Sequence, residues 1–305
     1  MIIKNSIWLS PMEGVSDVGF RKICLKTGAD LTFTEMIRAD AFVRNNKATL
    51  ELIDTYEFPA GVQFLVSKSD ILKKTLNIIA EKKKEKDEKY LNISCIDLNF
   101  GCPSKEIISA GNGPALLKRI NKMKEILTVL KECSPVPCGI KIRLGLNKKE
   151  KENKVYLKVL DIVNSLKLDW ITVHPKTADQ RSLDPVDMNA LQEIINNSEI
   201  PVIGNGFVES GKTAKEFFDR GCHGVMIARA AVVNPWIFDE IKHYLRTGKE
   251  ISIKKEYHKL LDEYLRTAKN YSSKQKYVEF HKRNFALKIK NDFSYHSPAR
   301  IMTWI

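Results

Sequence analysis

Short runs of apolar and β-branched residues alternate along this chain with longer stretches whose apolar positions recur every three or four residues, so the strand period and the helix period take turns. Eight strand segments are predicted: Ile7 to Ser10, Leu31 to Glu35, Gly61 to Leu65, Cys95 to Asn99, Gly139 to Arg143, Trp170 to His174, Val202 to Gly204 and Gly224 to Ile227. Helical sequence follows each, as in Asp17 to Lys26, stopped by Gly28, and Ser210 to Asp219, stopped by Gly221. Eight strand–helix pairs in succession are the arithmetic of a (β/α)8 TIM barrel; a doubly wound sheet is the main competitor on pattern alone.

After Pro235-Trp236 the strand pattern stops, and Glu256 to Asn270 and Lys274 to Lys290 read as amphipathic helices. The predicted fold is therefore α/β, a TIM barrel over residues 1–239 followed by a small helical carboxyl-terminal domain over residues 240–305. Tyr257, Leu260, Leu261, Tyr264 and Tyr271 lie at helical spacing, and such a stripe serves as core more often than as a platform for stacking bases.

With 305 residues and 43% hydrophobic content, the chain can bury a large core. The amino terminus lacks the apolar stretch of a signal peptide and no segment approaches the ~20 apolar residues of a membrane span, so a soluble, cytoplasmic protein is expected. Six cysteines at irregular spacing, with no C-x-x-C pair, argue against a zinc site or a disulfide framework. The formal charge of +13 favours a polyanionic partner. Residues 240–305 carry 15 Lys and Arg against 7 Asp and Glu, so a basic module follows a more neutral body. The wholly charged run Glu81 to Lys89 reads as a solvated helix end.

If the fold is a barrel, chemistry belongs just after the strands. Those positions hold Pro11-Met12-Glu13-Gly14, Gln63, Asn99 with Gly101-Cys102-Pro103, Lys141 and Arg143, His174, Asn205-Gly206 and Ala228-Arg229. Each residue alone has an ordinary explanation as a turn, a surface charge or a satisfied core group. Together at one rim they describe a pocket for a polar, phosphate-bearing cofactor. A seventh strand ending Gly204-Asn205-Gly206 and an eighth ending Ala228-Arg229 fit the barrel phosphate site, where backbone N–H groups and an Arg hold the anion. No G-x-G-x-x-G or P-loop sequence occurs.

These residues also resemble a family, the FMN-dependent tRNA-dihydrouridine synthases, from about residue 8 through Phe238. The matching blocks include Ser10 to Asp17 with Phe20-Arg21, Thr34-Glu35-Met36, Asp97 to Pro103 with Lys105, Gly111-Asn112-Gly113, Lys141 to Gly145, Val173-His174, Pro201 to Gly206, and Gly224 to Arg229 leading into Asn234-Pro235-Trp236. The resemblance implies FMN held by Pro11, Met12, Glu13, Gln63, Lys141, His174, Asn205, Gly206, Phe207, Ala228 and Arg229, with NADPH or NADH recharging the flavin and no metal. It places Cys102 at the catalytic position and tRNA as the partner, with no membrane or protein partner implied. Uridine C5=C6 is conjugated to the C4 carbonyl, so hydride goes to C6 and a proton is needed at C5; a thiol of pKa ~8.5 can give it. Asn99 and Arg143 are the candidate substrate-binding residues.

The chain departs from the family pattern at Phe207, where Asp is usual after Asn-Gly, at Pro175-Lys176 in place of Gly-Arg, and at Ala228 in place of Gly. Those changes spare the cofactor site and bear on which uridine is chosen. Two further readings stand beside this one: a flavin barrel acting on a free pyrimidine, as in dihydroorotate dehydrogenases, and a non-catalytic RNA-binding protein.

Overall fold

The computed structural model describes residues 4–53, 55, 58–251, 253–271 and 273–289. Eight parallel strands close into a barrel in chain order, the last pairing with the first. They are β1 (Ser6–Leu9), β2 (Leu31–Arg38), β3 (Ala60–Leu65), β4 (Ile93–Phe100), β5 (Cys138–Arg143), β6 (Trp170–His174), β7 (Val202–Asn205) and β8 (Gly224–Ile227). All eight expected strands are found, with ends shifted by up to three residues, and the doubly wound alternative falls to the β1–β8 pairing. Helix starts follow local chemistry: Asp17 accepts from the Phe20 amide at 3.0 Å, and Ser210 and Thr213 form a reciprocal capping box.

Alternation along the strands divides two cores. Outward residues such as Leu9, Phe64, Leu98, Ile140 and Val173 are buried beneath the helices. Inside the barrel, Trp8, Phe33, Cys95, Trp170, Ile203 and Met226 form a separate apolar cluster. Trp8 meets Trp170 edge-on at 5.6 Å and Phe33 at 5.8 Å. The aromatics fit because glycines face them: a Cβ on Gly139 would lie 2.2 Å from Trp170 and one on Gly61 2.4 Å from Phe33. This plug fills the lower barrel, so the polar inward residues farther along the same strands open only toward the carboxyl ends.

Register sets those polar residues side by side. Gln63 on β3 pairs with Asp97 on β4, Asn99 with Lys141 on β5, and Arg143 with His174 on β6.

The helix Ile237–Thr247 packs on the helix Gly211–Asp219 so closely that a Cβ on Gly211 would lie 2.2 Å from Tyr244. It buries Ile237, Phe238 and Ile241 and completes the helical ring, and the sequence boundary at 239/240 falls inside it. The last helices, Tyr257–Asn270 and Gln275–Ile289, dock on the helix Val18–Lys26. Tyr264 fills the space over Gly19 and donates to Asp17 at 3.1 Å, while His281 Nε2 donates to the Val15 carbonyl at 2.9 Å. Leu260 and Tyr264 are buried, so the tyrosine stripe is core, as its spacing suggests. The charged run forms a helix end at Lys84 and a second start at Asp87. Lys290, the expected end of the last helix, lies outside the described residues.

Among the described residues no helix is long and apolar enough to cross a membrane, and no group of His, Cys, Asp or Glu could hold a metal. The six cysteines are free thiols.

Candidate active site

A cavity of about 390 Å³ opens at the carboxyl ends of the strands, and all fourteen residues singled out in the sequence line it. Pro11, Met12 and Glu13 follow β1, Gln63 sits on β3, Asn99 and Cys102 on and after β4, and Lys141 and Arg143 on β5. His174 ends β6, Asn205 to Phe207 end β7 and begin its loop, and Ala228-Arg229 follow β8.

The floor is a directed hydrogen-bond chain. Asn99 Oδ1 accepts from the Gly101 and Cys102 amides at 3.0 and 2.9 Å, which turns its Nδ2 toward Gln63 Oε1 at 2.8 Å. Gln63 Nε2 in turn donates to Asp97 Oδ2 at 2.7 Å. Asn205 is likewise oriented, its Nδ2 donating to the Met226 carbonyl at 2.7 Å. Asn99 therefore spends its oxygen on the Cys102 loop and keeps one amide hydrogen free of these bonds, which narrows what it can offer a substrate.

Positive charge dominates the walls: Lys141, Arg143, Lys176, Arg181 and Arg229 face Glu13 and Glu209. Burial, reinforced by the Arg143 charge, lowers the Lys141 ammonium to about 8, so it remains largely protonated at neutral pH. Arg143 donates from Nη1 to the Thr177 carbonyl at 2.8 Å, while its buried Nε has no partner among the described residues. Burial and then the surrounding cations Lys141, Arg143, Lys176 and Arg229 hold His174 well below the ordinary imidazole range, which leaves it neutral. Burial raises the Cys102 thiol, and Glu13 adds to the effect against the pull of the Ser104 amide, Arg143 and Lys141. Cys102 is thus a protonated thiol at neutral pH.

One lining residue carries more than its sequence position suggested. Lys176 is 1% exposed, donates to the Ser182 carbonyl at 2.9 Å, and lies 4.5 Å from the Phe207 ring centroid. Arg229 approaches the same ring at 5.8 Å and reaches Ser182 Oγ. Phe207 adopts a positive φ of 55°, uncommon for an aromatic residue, directly after Gly206 at φ 112°. A Cβ on Gly206 would lie 2.8 Å from the His174 ring, so this turn brings bare backbone close against the imidazole. Lys176 was visible in sequence only as a departure from a pattern; its burial beneath an aromatic ring comes from the turn geometry.

A closed parallel barrel with a cation-lined pocket at its strand ends has the layout of a barrel enzyme, whose active site sits at that rim. Residues 8–299 match the family described as dihydrouridine synthase (Dus). A probable tRNA-dihydrouridine synthase of Rickettsia conorii is 30% identical over 254 residues, covering 82% of this chain and 73% of that protein. The tRNA-dihydrouridine synthase B of Pseudomonas syringae pv. tomato is 31% identical over 252 residues, covering 82% of this chain and 71% of that protein. A probable tRNA-dihydrouridine synthase of Helicobacter pylori is 31% identical over 252 residues, covering 80% of this chain and 72% of that protein. The chain belongs to the dihydrouridine synthase family.

Proposed function

We propose that this protein reduces uridine in tRNA to 5,6-dihydrouridine, using bound FMN and NADPH or NADH as the reductant. The observation that supports the reading best is the meeting, in one pocket, of a protonated Cys102 with a cationic wall built from Lys141, Arg143 and Arg229. Membership of the family sets the reaction against the free-pyrimidine alternative and against a non-catalytic RNA-binding protein.

The residues present fit FMN. The charged Lys141 and Arg229 and the bare backbone at Gly206 suit an anionic, planar ligand with a phosphate at the β7–β8 side. Pro11, Met12, Glu13, Gln63, His174, Asn205, Phe207 and Ala228 would complete its walls. Bound there, FMN would supply the hydride for reduction of the uracil ring.

The protein's own part is positional and protic. Hydride addition at C6 pushes an electron pair through C5 toward the C4 oxygen, and the Cys102 thiol returns a proton to C5. Lys141 offsets negative charge in the pocket, Arg143 binds the base or its phosphate, and the remaining Asn99 amide hydrogen can meet the uracil edge. A uridine inside folded RNA must swing out to enter so deep a site, at the cost of unstacking. The basic residues of the last helices would hold the tRNA while this happens, and a cytoplasmic location goes with that substrate.

Purified protein mixed with FMN is expected to take up about one flavin per chain and turn yellow. Protein that binds no FMN under any loading condition would contradict the cofactor assignment.

A further inference from the structure

On the proposed reading Cys102 and Gln63 both serve the reaction, and a run of hydrogen bonds through Asn99 and Gln63 connects the Cys102 amide to a residue outside the pocket lining. Asp97 is fully buried beneath the pocket floor, one inward position before Asn99 on β4. It accepts at Oδ2 from Gln63 Nε2 at 2.7 Å, while its Oδ1 and the neighbouring Trp170 indole N–H complete no hydrogen bond among the described residues. Burial pushes its carboxyl up to about 7 against the pull of the Gln63 hydrogen bond and the Lys141 charge, so the carboxylate form gains as pH rises through that value toward 8.

We propose that Asp97 is the positioning residue of this site, fixing through Gln63 and Asn99 both the face that the Gln63 amide shows the cofactor and the place of the Cys102 backbone.

Donor direction decides the arrangement. A primary amide can flip by exchanging its oxygen and its NH2, and only its partners decide which way it sits. At one end the Gly101 and Cys102 amides can only donate, so Asn99 must turn its oxygen to them and its NH2 to Gln63. At the other end the Asp97 carboxylate can only accept, so Gln63 must turn its NH2 there and its oxygen to Asn99. The two ends agree, and every link has one orientation. Asp97→Asn takes that polarity from the lower end: the new amide can show Gln63 an oxygen or an NH2, and its oxygen is also drawn to Lys141. The chain is then directed from the upper end alone, and the Gln63 link loses the charge of its acceptor, so Gln63 and, through it, Asn99 are held less firmly.

Polarity can also be restored from the other side. In the double variant Gln63→Glu with Asp97→Asn, the carboxylate at position 63 accepts from both amides, so Asn99 is again held while the group facing the cofactor has changed from amide to anion.

The inference rests on the pocket being the flavin site for its cofactor half and on the structure alone for its cysteine half. Two measurements at pH 8 separate them: the rate of Cys102 alkylation by iodoacetamide, followed by peptide mass mapping without added flavin, and the dissociation constant for FMN from fluorescence quenching. D97N, nearly isosteric, is expected to alkylate at Cys102 at least threefold faster and to bind FMN at least fivefold more weakly. The double variant Q63E/D97N should return alkylation to within twofold of the unsubstituted protein while FMN binding stays weak. Gln63→Met cuts the same link with Asp97 left in place and should speed alkylation as D97N does, which keeps the test open should D97N fail to fold. Alkylation within twofold of the unsubstituted protein in folded D97N, or no recovery in the double variant, overturns the proposal. Absence of FMN binding in every protein, the unsubstituted one included, sinks the cofactor reading and leaves the alkylation result to decide the cysteine half.

Discussion

Lys141 shows how burial sets the working range of a single side chain. Its charge is intact well below about 8 and is lost as pH rises through that value, because burial and Arg143 both disfavour the ammonium. An anionic ligand gains from that charge, so FMN affinity should be highest near neutrality and fall as pH is raised toward 9. The step should vanish in Lys141→Gln, which should already bind at least tenfold more weakly at pH 7; fluorescence titration across pH checks both, and an unchanged step in the variant would assign the titration elsewhere. Residue types at the strand ends were readable in the sequence because polar and glycine residues after apolar runs have few structural reasons to collect at seven of eight strand ends. Their partners were not. That the oxygen of Asn99 is consumed by the Gly101 and Cys102 amides, or that Lys176 lies under Phe207, depends on backbone turns that no spacing encodes.

Among the elements, the strands were the most legible, since β-branched runs bounded by turn residues survive any rearrangement of the rest. The inner plug was not legible, because Gly61 and Gly139 look like ordinary strand glycines until Phe33 and Trp170 are seen to occupy the space they leave. The sequence boundary near residue 240 marks a change of charge, whereas packing continues through the helix Ile237–Thr247. The two helices beyond it hold on through Tyr264, fully buried between Gly19 and His281. Tyr264→Ala removes that ring and leaves the Asp17 carboxyl with one partner fewer, a change expected to cost about 3 kcal/mol or more. Urea denaturation should show the loss; a change below about 1 kcal/mol would mean the helices are held mainly by their other contacts, such as Asn284 to the Val232 carbonyl at 3.0 Å.

The molecule as a whole joins a closed barrel, whose apolar plug forces its polar groups to one end, to a basic helical extension docked beside β1 and its helix. On the proposed reading, one end of the barrel handles the base while positive charge elsewhere meets the polyanion. The order of motifs made the family visible in the sequence, whereas the chain of amides under Cys102 emerged only from donor geometry. On the proposed reading this pocket reduces uridine with Cys102 as the acid, and mass spectrometry of unmodified tRNA after incubation with FMN-loaded protein and NADPH or NADH decides it. The unsubstituted protein should convert uridine to a product heavier by two hydrogens, and Cys102→Ala, still yellow, should lose at least about 99% of that conversion, in keeping with the ~10²–10⁴-fold worth of a positioned acid. Flavin-loaded protein that forms no dihydrouridine, or a Cys102→Ala variant that forms it at the unsubstituted rate, would contradict the reading.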